Sequence, residues 1–367
     1  MDLPTYSPAE RDRRWDLARE LMDAEGVDAL VVHGGAEWAP DVFFTNDRPG
    51  AIVVSPRADE PIALVRSPAQ LGEHLDARRR GDAVWIRPEN VLVAKHAHGV
   101  AEVLRAHGLG RSAIGVLGLE PCPPFHADPL VPYTLWSSVL QRLPQVTFKP
   151  VEAAFVRRAL SQSAEELAVI GHAAAVGEAM ARAMLEAVRP GVTEASVYAA
   201  GIAESLRRGA VAPGLLIVSG KEFVSCGPPA WSYRPQAPRV IEDGDLLLAV
   251  LRPGHTFGEV VTAMKGPFQE AGGWHAYPLV HAVNPCGAAG GSGAGFGALP
   301  RSARYGLLAE QPTIGSDLPL RPGMTFAFAP NCVHGRRLVR IGGTVVVGED
   351  APIELNTITT HLMRSTR

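Results

Sequence analysis

Cysteine is scarce in this chain and never clustered. Cys122, Cys226, Cys286 and Cys332 are the only four, and no two stand as C-x-x-C. That suits free thiols in a reducing cytoplasm better than a disulfide framework or a zinc cluster. An excess of charge of one sign is lacking too. The formal net charge is −3 over 367 residues, so no global field draws in nucleic acid or an anionic membrane. Long apolar runs are missing: none approaches the ~20 residues that span a bilayer. The opening segment, MDLPTYSPAERDRRWDLAREL, has no apolar stretch of the kind a secretory signal needs. These absences predict a soluble, cytoplasmic protein whose partners are neither nucleic acid nor membrane.

The length exceeds one ordinary hydrophobic core and predicts two domains, 1–150 and 151–367. In the first, the spacing predicts a helix over 8–26, capped by Ser7 and stopped by Gly26. Short strands follow at 27–32, 51–54, 61–65, 83–86 and 113–117, with a helix near 97–107, an alternation that implies an α/β domain. Arg78-Arg79-Arg80 has no interleaved aromatics and reads as a solvated face. In the second, a Ser-x-x-Glu signature opens a long helix over 163–188. Another runs from Thr193 to Gly209, and strands follow at 215–219, 246–251, 259–264, 325–328 and 344–347. The stretch 284–300, NPCGAAGGSGAGFGALP, lacks the Lys and Ser/Thr of a phosphate cradle and reads as a flexible loop or lid.

Three stretches carry a resemblance. RELMDAEGVDALVV with DVFFTNDRPGAIVV is one. RRALSQSAEELAVIGHAAAVGEAMARAMLEAVRPGVTEASVYAAGIAESLRRGA is the second and most specific. The third is the ordered series IVSG, GDLLLAVLRPGHTFGE, LRPGMTFAFAP and VRIGGTVVVGED. Together they resemble the creatinase, aminopeptidase P and prolidase family. The resemblance implies an N-terminal creatinase-like α/β domain and a C-terminal pita-bread domain, a curved antiparallel sheet flanked by helices. It covers nearly the whole chain, with residues 266–310 fitting poorly. Metal-dependent members place two aspartates, a histidine and two glutamates where this chain has Val250, Thr262, Ala309, Ala329 and Gly342. Hard oxygen donors and a histidine are what a di-metal site requires, so the expectation is a divergent member with no metal and no cofactor. The histidine and glutamates of metal-free creatinase are not carried over either: their positions fall near Trp231–Ser232, Met264 and Ala329.

Two readings stand. One is a metal-independent enzyme acting on a small, polar, carboxylate-bearing molecule, with hydrolysis of a C–N bond as the family expectation. The other is a non-catalytic relative that binds a ligand or a protein. For the first, the acid–base candidates are His334, Glu310 and Tyr233. The substrate-binding candidates are Arg252, Arg340, Arg234, Trp231, Thr262 and Arg48, arginine being suited to carboxylates. Trp231 reads equally as packing, and Cys226 as a buried thiol. His255 falls at a hairpin tip, and His275 and His281 are not placed. The resemblance further implies a homodimer in which Arg48 reaches the partner's pocket.

Overall fold

A computed structural model describes residues 3–35, 39–120, 129–211, 215–223, 227–250, 270, 279–283, 318–340 and 342–356. These divide into two compact units, one built from residues 5–165 and the other chiefly from residues 166–282 and 318–356.

The first unit opens with α1 (Pro8–Glu25). The Ser7 hydroxyl accepts from the Glu10 N–H, and Gly26 ends the helix at φ +65°, a backbone region open to glycine at little cost. The elements that follow are β1 (Ala29–His33), α2 (Pro40–Thr45), β2 (Ile52–Pro56), β3 (Ile62–Val65), α3 (Pro68–Arg80), β4 (Val91–Val93), α4 (Ala97–Ala106), β5 (Ala113–Leu117), α5 (Tyr133–Arg142), β6 (Thr147–Pro150) and α6 (Glu152–Ala159). The strands form one mixed sheet in the order β4-β3-β2-β1-β5-β6. β1 runs antiparallel to β2 and parallel to β5. Ala29 and Val31 of β1 pack with Val100 and Leu104 of α4 and Val139 of α5 in one buried cluster. Phe43, Phe44 and Phe155 join α2 to α6, with Phe43 and Phe155 edge to face at 5.3 Å.

The expected strand at 83–86 is absent. Its backbone is irregular, with the Trp85 N–H donating to the Thr45 carbonyl (3.0 Å). The indole lies 6.2 Å from the Tyr6 ring, and the Arg14 guanidinium stands 5.2 Å from its centroid. Docking onto this buried cation overrides β-propensity. Arg78, Arg79 and Arg80 form the exposed last turn of α3, where cations suit the helix dipole.

The second unit begins with α7 (Ala164–Ala187) and α8 (Glu194–Arg207). Thr193 caps α8 by accepting from the Ser196 N–H, and Gly209 follows its end at φ +72°. β7 (Leu216–Gly220) and β8 (Leu246–Val250) form an antiparallel pair. Leu215 and Ile217 pack with Met180 and Met184 of α7 and Val197 of α8. β9 (Val280–Ala282), β10 (Thr325–Phe328), β11 (Asn331–His334), β12 (Arg337–Arg340), β13 (Gly343–Val346) and β14 (Ile353–Glu354) complete the unit. An antiparallel sheet runs β14-β13-β10-β9, and β11–β12 is a separate hairpin turning at Gly335, φ +60°. The strand expected at 344–347 lies one residue earlier. The strand expected at 259–264 and the Gly-rich stretch 284–300 fall outside the described residues.

Candidate functional site

Two stretches singled out in the sequence, IVSG and GDLLLAV, are β7 with its end and β8 with its start. They are tied by charge. Glu194, buried at the head of α8, accepts from both the N–H and the hydroxyl of Ser219 (2.7 and 2.6 Å). Arg239 donates to the Ser219 hydroxyl oxygen (2.9 Å) and to Asp245 (2.5 Å). Burial pushes the Asp245 carboxyl up, but the Arg239 hydrogen bond prevails and holds it below the usual carboxylate range. Ser219 lies two residues beyond Ile217, so strand alternation puts both on the helix-packed face. The network fastens β7 to α8.

The loop after β7 splits its candidates. Trp231 is half-buried, edge-on to Tyr198 at 6.4 Å and 86°, against the core cluster of this unit. Tyr233 is 66% exposed, and Arg234 lies over its ring at 5.8 Å while donating to Gln236. Trp231 thus packs by one edge against that cluster, with Tyr233 and Arg234 at the surface.

The second half of the site is the β9–β10–β13 sheet. Its register sets His281 opposite Ala327, and Ala327 opposite Thr344. The ladder continues one step, the Ala329 N–H donating to the Leu279 carbonyl (2.8 Å). By alternation, His281, Ala327, Ala329 and Thr344 share one face, while Gly342, just before β13, directs its Cβ position at the Phe328 carbonyl. Ala329 and Gly342 are near neighbours: a Cβ at 342 would stand 3.3 Å from the Ala329 Cα. Two of the five positions at which the resemblance implies metal ligands are thus side by side, and neither carries a donor atom in its side chain. Among the described residues no group of three His, Cys, Asp or Glu side chains is arranged to hold a metal ion.

His281 is the residue that the sequence alone does not place. It is 4% exposed, and its Nδ1 lies 2.8 Å from the Ala282 carbonyl. A carbonyl only accepts, so Nδ1 carries a proton, which orients the ring and leaves Nε2 as the nitrogen whose protonation can change. The apolar flanks of His281 in Leu279-Val280-His281-Ala282-Val283 are the available signal: a polar residue in an otherwise buried strand.

Arg340 and Asn331 pair at the base of the β11–β12 hairpin, with Asn331 buried and donating to the Ala329 carbonyl (2.8 Å). Arg340, half-buried, is thereby set close to the Ala329–Gly342 end of the sheet. His334 is exposed at the hairpin's far end, paired with Arg337. That end meets the segment after β7 through a Phe223–Arg337 bridge and an Arg336–Glu222 ion pair at 3.1 Å. Arg48, in the first unit, is exposed and paired with Glu73 of α3 at 2.5 Å. Glu310, Arg252 and Thr262, with Ala309, Met264, Cys226, His255 and His275, lie outside the described residues.

No protein-family model and no curated protein matches the sequence. Solved structures do match. The Xaa-Pro dipeptidase from Bacillus anthracis is similar with a TM-score of 0.63 at 14% identity, over 96% of this chain and 99% of that one. Prolidase from Pyrococcus furiosus gives 0.61 at 17%, over 93% and 98%. Zinc-substituted E. coli aminopeptidase P in complex with product gives 0.60 at 16%, over 97% and 96%. At such identities these likenesses show the fold, and it is the pita-bread fold of these peptidases across nearly the full chain.

Proposed function

We propose, on the premise of a fold shared with peptidases of proline-containing substrates, that this chain is a metal-independent enzyme hydrolysing a C–N bond in a small, polar, carboxylate-bearing molecule. The observation that carries the reading is the pair Ala329 and Gly342, donorless and side by side, with Ala329 on the face that also holds a buried imidazole. A site that works through bound cations needs carboxylates at such positions; alanine and glycine do not fit the group. What remains near the face is His281, oriented through Nδ1, and Arg340, held beside Asn331. A neutral imidazole can take a proton from water at neutral pH. A guanidinium can hold a substrate carboxylate and stabilise charge that develops as the bond breaks. The fold itself supplies an analogy for the reaction, since folds host many chemistries. Arg48 reaching a partner's pocket in a homodimer is part of the same proposal.

The test is elemental analysis of the purified chain. Alongside it go thermal-shift and turnover measurements against small amino and guanidino acids and their N-acyl derivatives. The expected result is no stoichiometric metal, stabilisation by one ligand class, and release of amine from it that His281→Ala abolishes. Stabilisation without turnover by any compound would favour the non-catalytic reading. Stoichiometric metal would sink both.

A further inference from the structure

We infer that the loss of a ligating side chain at position 342 is fixed by the backbone, so that a carboxylate restored there cannot take up a ligand's place without opening the sheet. This rests on the reading above, because it takes 329 and 342 as the vacated ligand positions. Gly342 does not have the left-handed backbone that explains Gly26 or Gly81, around which an added Cβ would meet nothing within 4 Å. Its constraint is space. A Cβ at 342 would stand 1.9 Å from the Phe328 carbonyl oxygen and 3.0 Å from the carbonyl carbon. A flexible side chain could rotate away from such a contact; a backbone carbonyl in a paired strand cannot.

Gly342 immediately precedes the Phe328–Gly343 pair, so making room there means separating β10 from β13 at that end. Residue 329 resists the same movement from the other side. Its N–H is bonded to the Leu279 carbonyl and its carbonyl accepts from Asn331, each at 2.8 Å. The carbonyl of Phe328 occupies the volume that a side chain at 342 would need. Any L-residue at 342, a glutamate included, must open the ladder before it can reach a cation. The face is thereby committed to chemistry in which backbone, not a carboxylate, occupies this corner.

The experiment uses the full chain in four forms: wild type, Gly342→Ala, Ala329→Glu and the double variant Ala329→Glu/Gly342→Glu. Each is measured for melting temperature and for metal content after incubation with Zn2+ and with Mn2+. Gly342→Ala is expected to lower the melting temperature by about 5 °C or more. The double variant is expected to melt below Ala329→Glu by at least as much as Gly342→Ala melts below wild type, and to hold no more metal than wild type. Should it fail to fold, the melting temperature of Gly342→Ala decides the matter alone. A Gly342→Ala protein as stable as wild type would show that the corner has room and would overturn the inference. So would a folded double variant that takes up stoichiometric Zn2+ or Mn2+ while wild type takes up none. Metal in wild type itself would instead overturn the metal-independent reading, so the two failures are distinguishable.

Discussion

The scaffold of the first unit and the β9–β10–β13 face of the second stand in contrast over buried carboxylates. In the first, Glu10 is held by Arg13 and Arg14 at 2.7–2.8 Å. Asp41 accepts from the N–H groups of Gly50 and Ala51 at 2.8 Å each. Glu152 accepts from three successive N–H groups, those of Gly118, Leu119 and Glu120. In the second, the β9–β10–β13 face carrying Ala329, with Gly342 at its corner, has no carboxylate among its described residues, and Glu194 and Asp245 are used to fasten β7. A buried charge persists only where donors or cations compensate its lost hydration. Peptide N–H groups and arginines do so in the scaffold. A face without carboxylates needs no such compensation, and here the backbone has closed in on part of it.

The comparison breaks most visibly at Glu10. Glu10→Gln removes the buried carboxylate that Arg13 and Arg14 both hold, Arg14 being 4% exposed in its side chain, and unfolding in urea is expected to show a loss of about 3–5 kcal/mol. The same residue governs an acid limb. Burial alone would raise the Glu10 carboxyl, but hydrogen bonds from Arg13, Arg14 and Ser163 bring it from 4.5 down to about 2. Its stabilisation is complete above pH 4.5 and is lost as pH falls toward about 2. Glu10→Gln should flatten that limb in urea midpoints taken across the window. Next in size is Ser219→Ala, which removes the hydroxyl between Glu194 and Arg239 and should cost about 1–2 kcal/mol by the same assay.

Asp41 sharpens the comparison. Burial raises its carboxyl despite the Ala51 and Gly50 N–H groups, so its ionised form opposes folding increasingly as pH rises above the ordinary aspartate value. Asp41→Asn keeps an acceptor for those N–H groups and removes the charge. Its expected loss is under about 1 kcal/mol at pH 7, against about 1–3 kcal/mol for Asp41→Ala. Equal losses in the two variants would mean that the charge, not the acceptor, matters. Smallest is Arg48→Ala. Its ion pair with Glu73 is more than half exposed on both sides, and a change below about 1 kcal/mol is expected.

Much of the scaffold is legible in the sequence because local chemistry decides it. Ser7, Gly26, Thr193 and Gly209 mark helix ends through a hydroxyl acceptor or a left-handed backbone, both written in the residue itself. The segment 83–86 misleads because Trp85 answers to Arg14 and Tyr6, distant in sequence, rather than to its alternating neighbours. The short helix at Pro40–Thr45 is hidden for a related reason: Phe43 and Phe44 are fixed by Phe155. At the candidate site, the blankness of positions 329 and 342 is visible as residue type. Their adjacency, and the placement of His281 on the face of Ala329, depend on the β9–β10–β13 register, which no local signal encodes. The tight corner at Gly342 belongs to the same class: glycine there looks like a missing ligand, and only the paired strand shows why nothing larger fits.

The Glu152 carboxylate has a consequence for exchange with solvent. The amides of Gly118, Leu119 and Glu120 lie past the end of β5, where backbone protons ordinarily trade with deuterium quickly. All three are bonded to one buried oxygen, at 2.6, 2.7 and 3.0 Å, so they open together or not at all. In deuterium oxide they should behave as a single slow unit, protected like the strand they follow, and replacing that one side chain should release three protons at once.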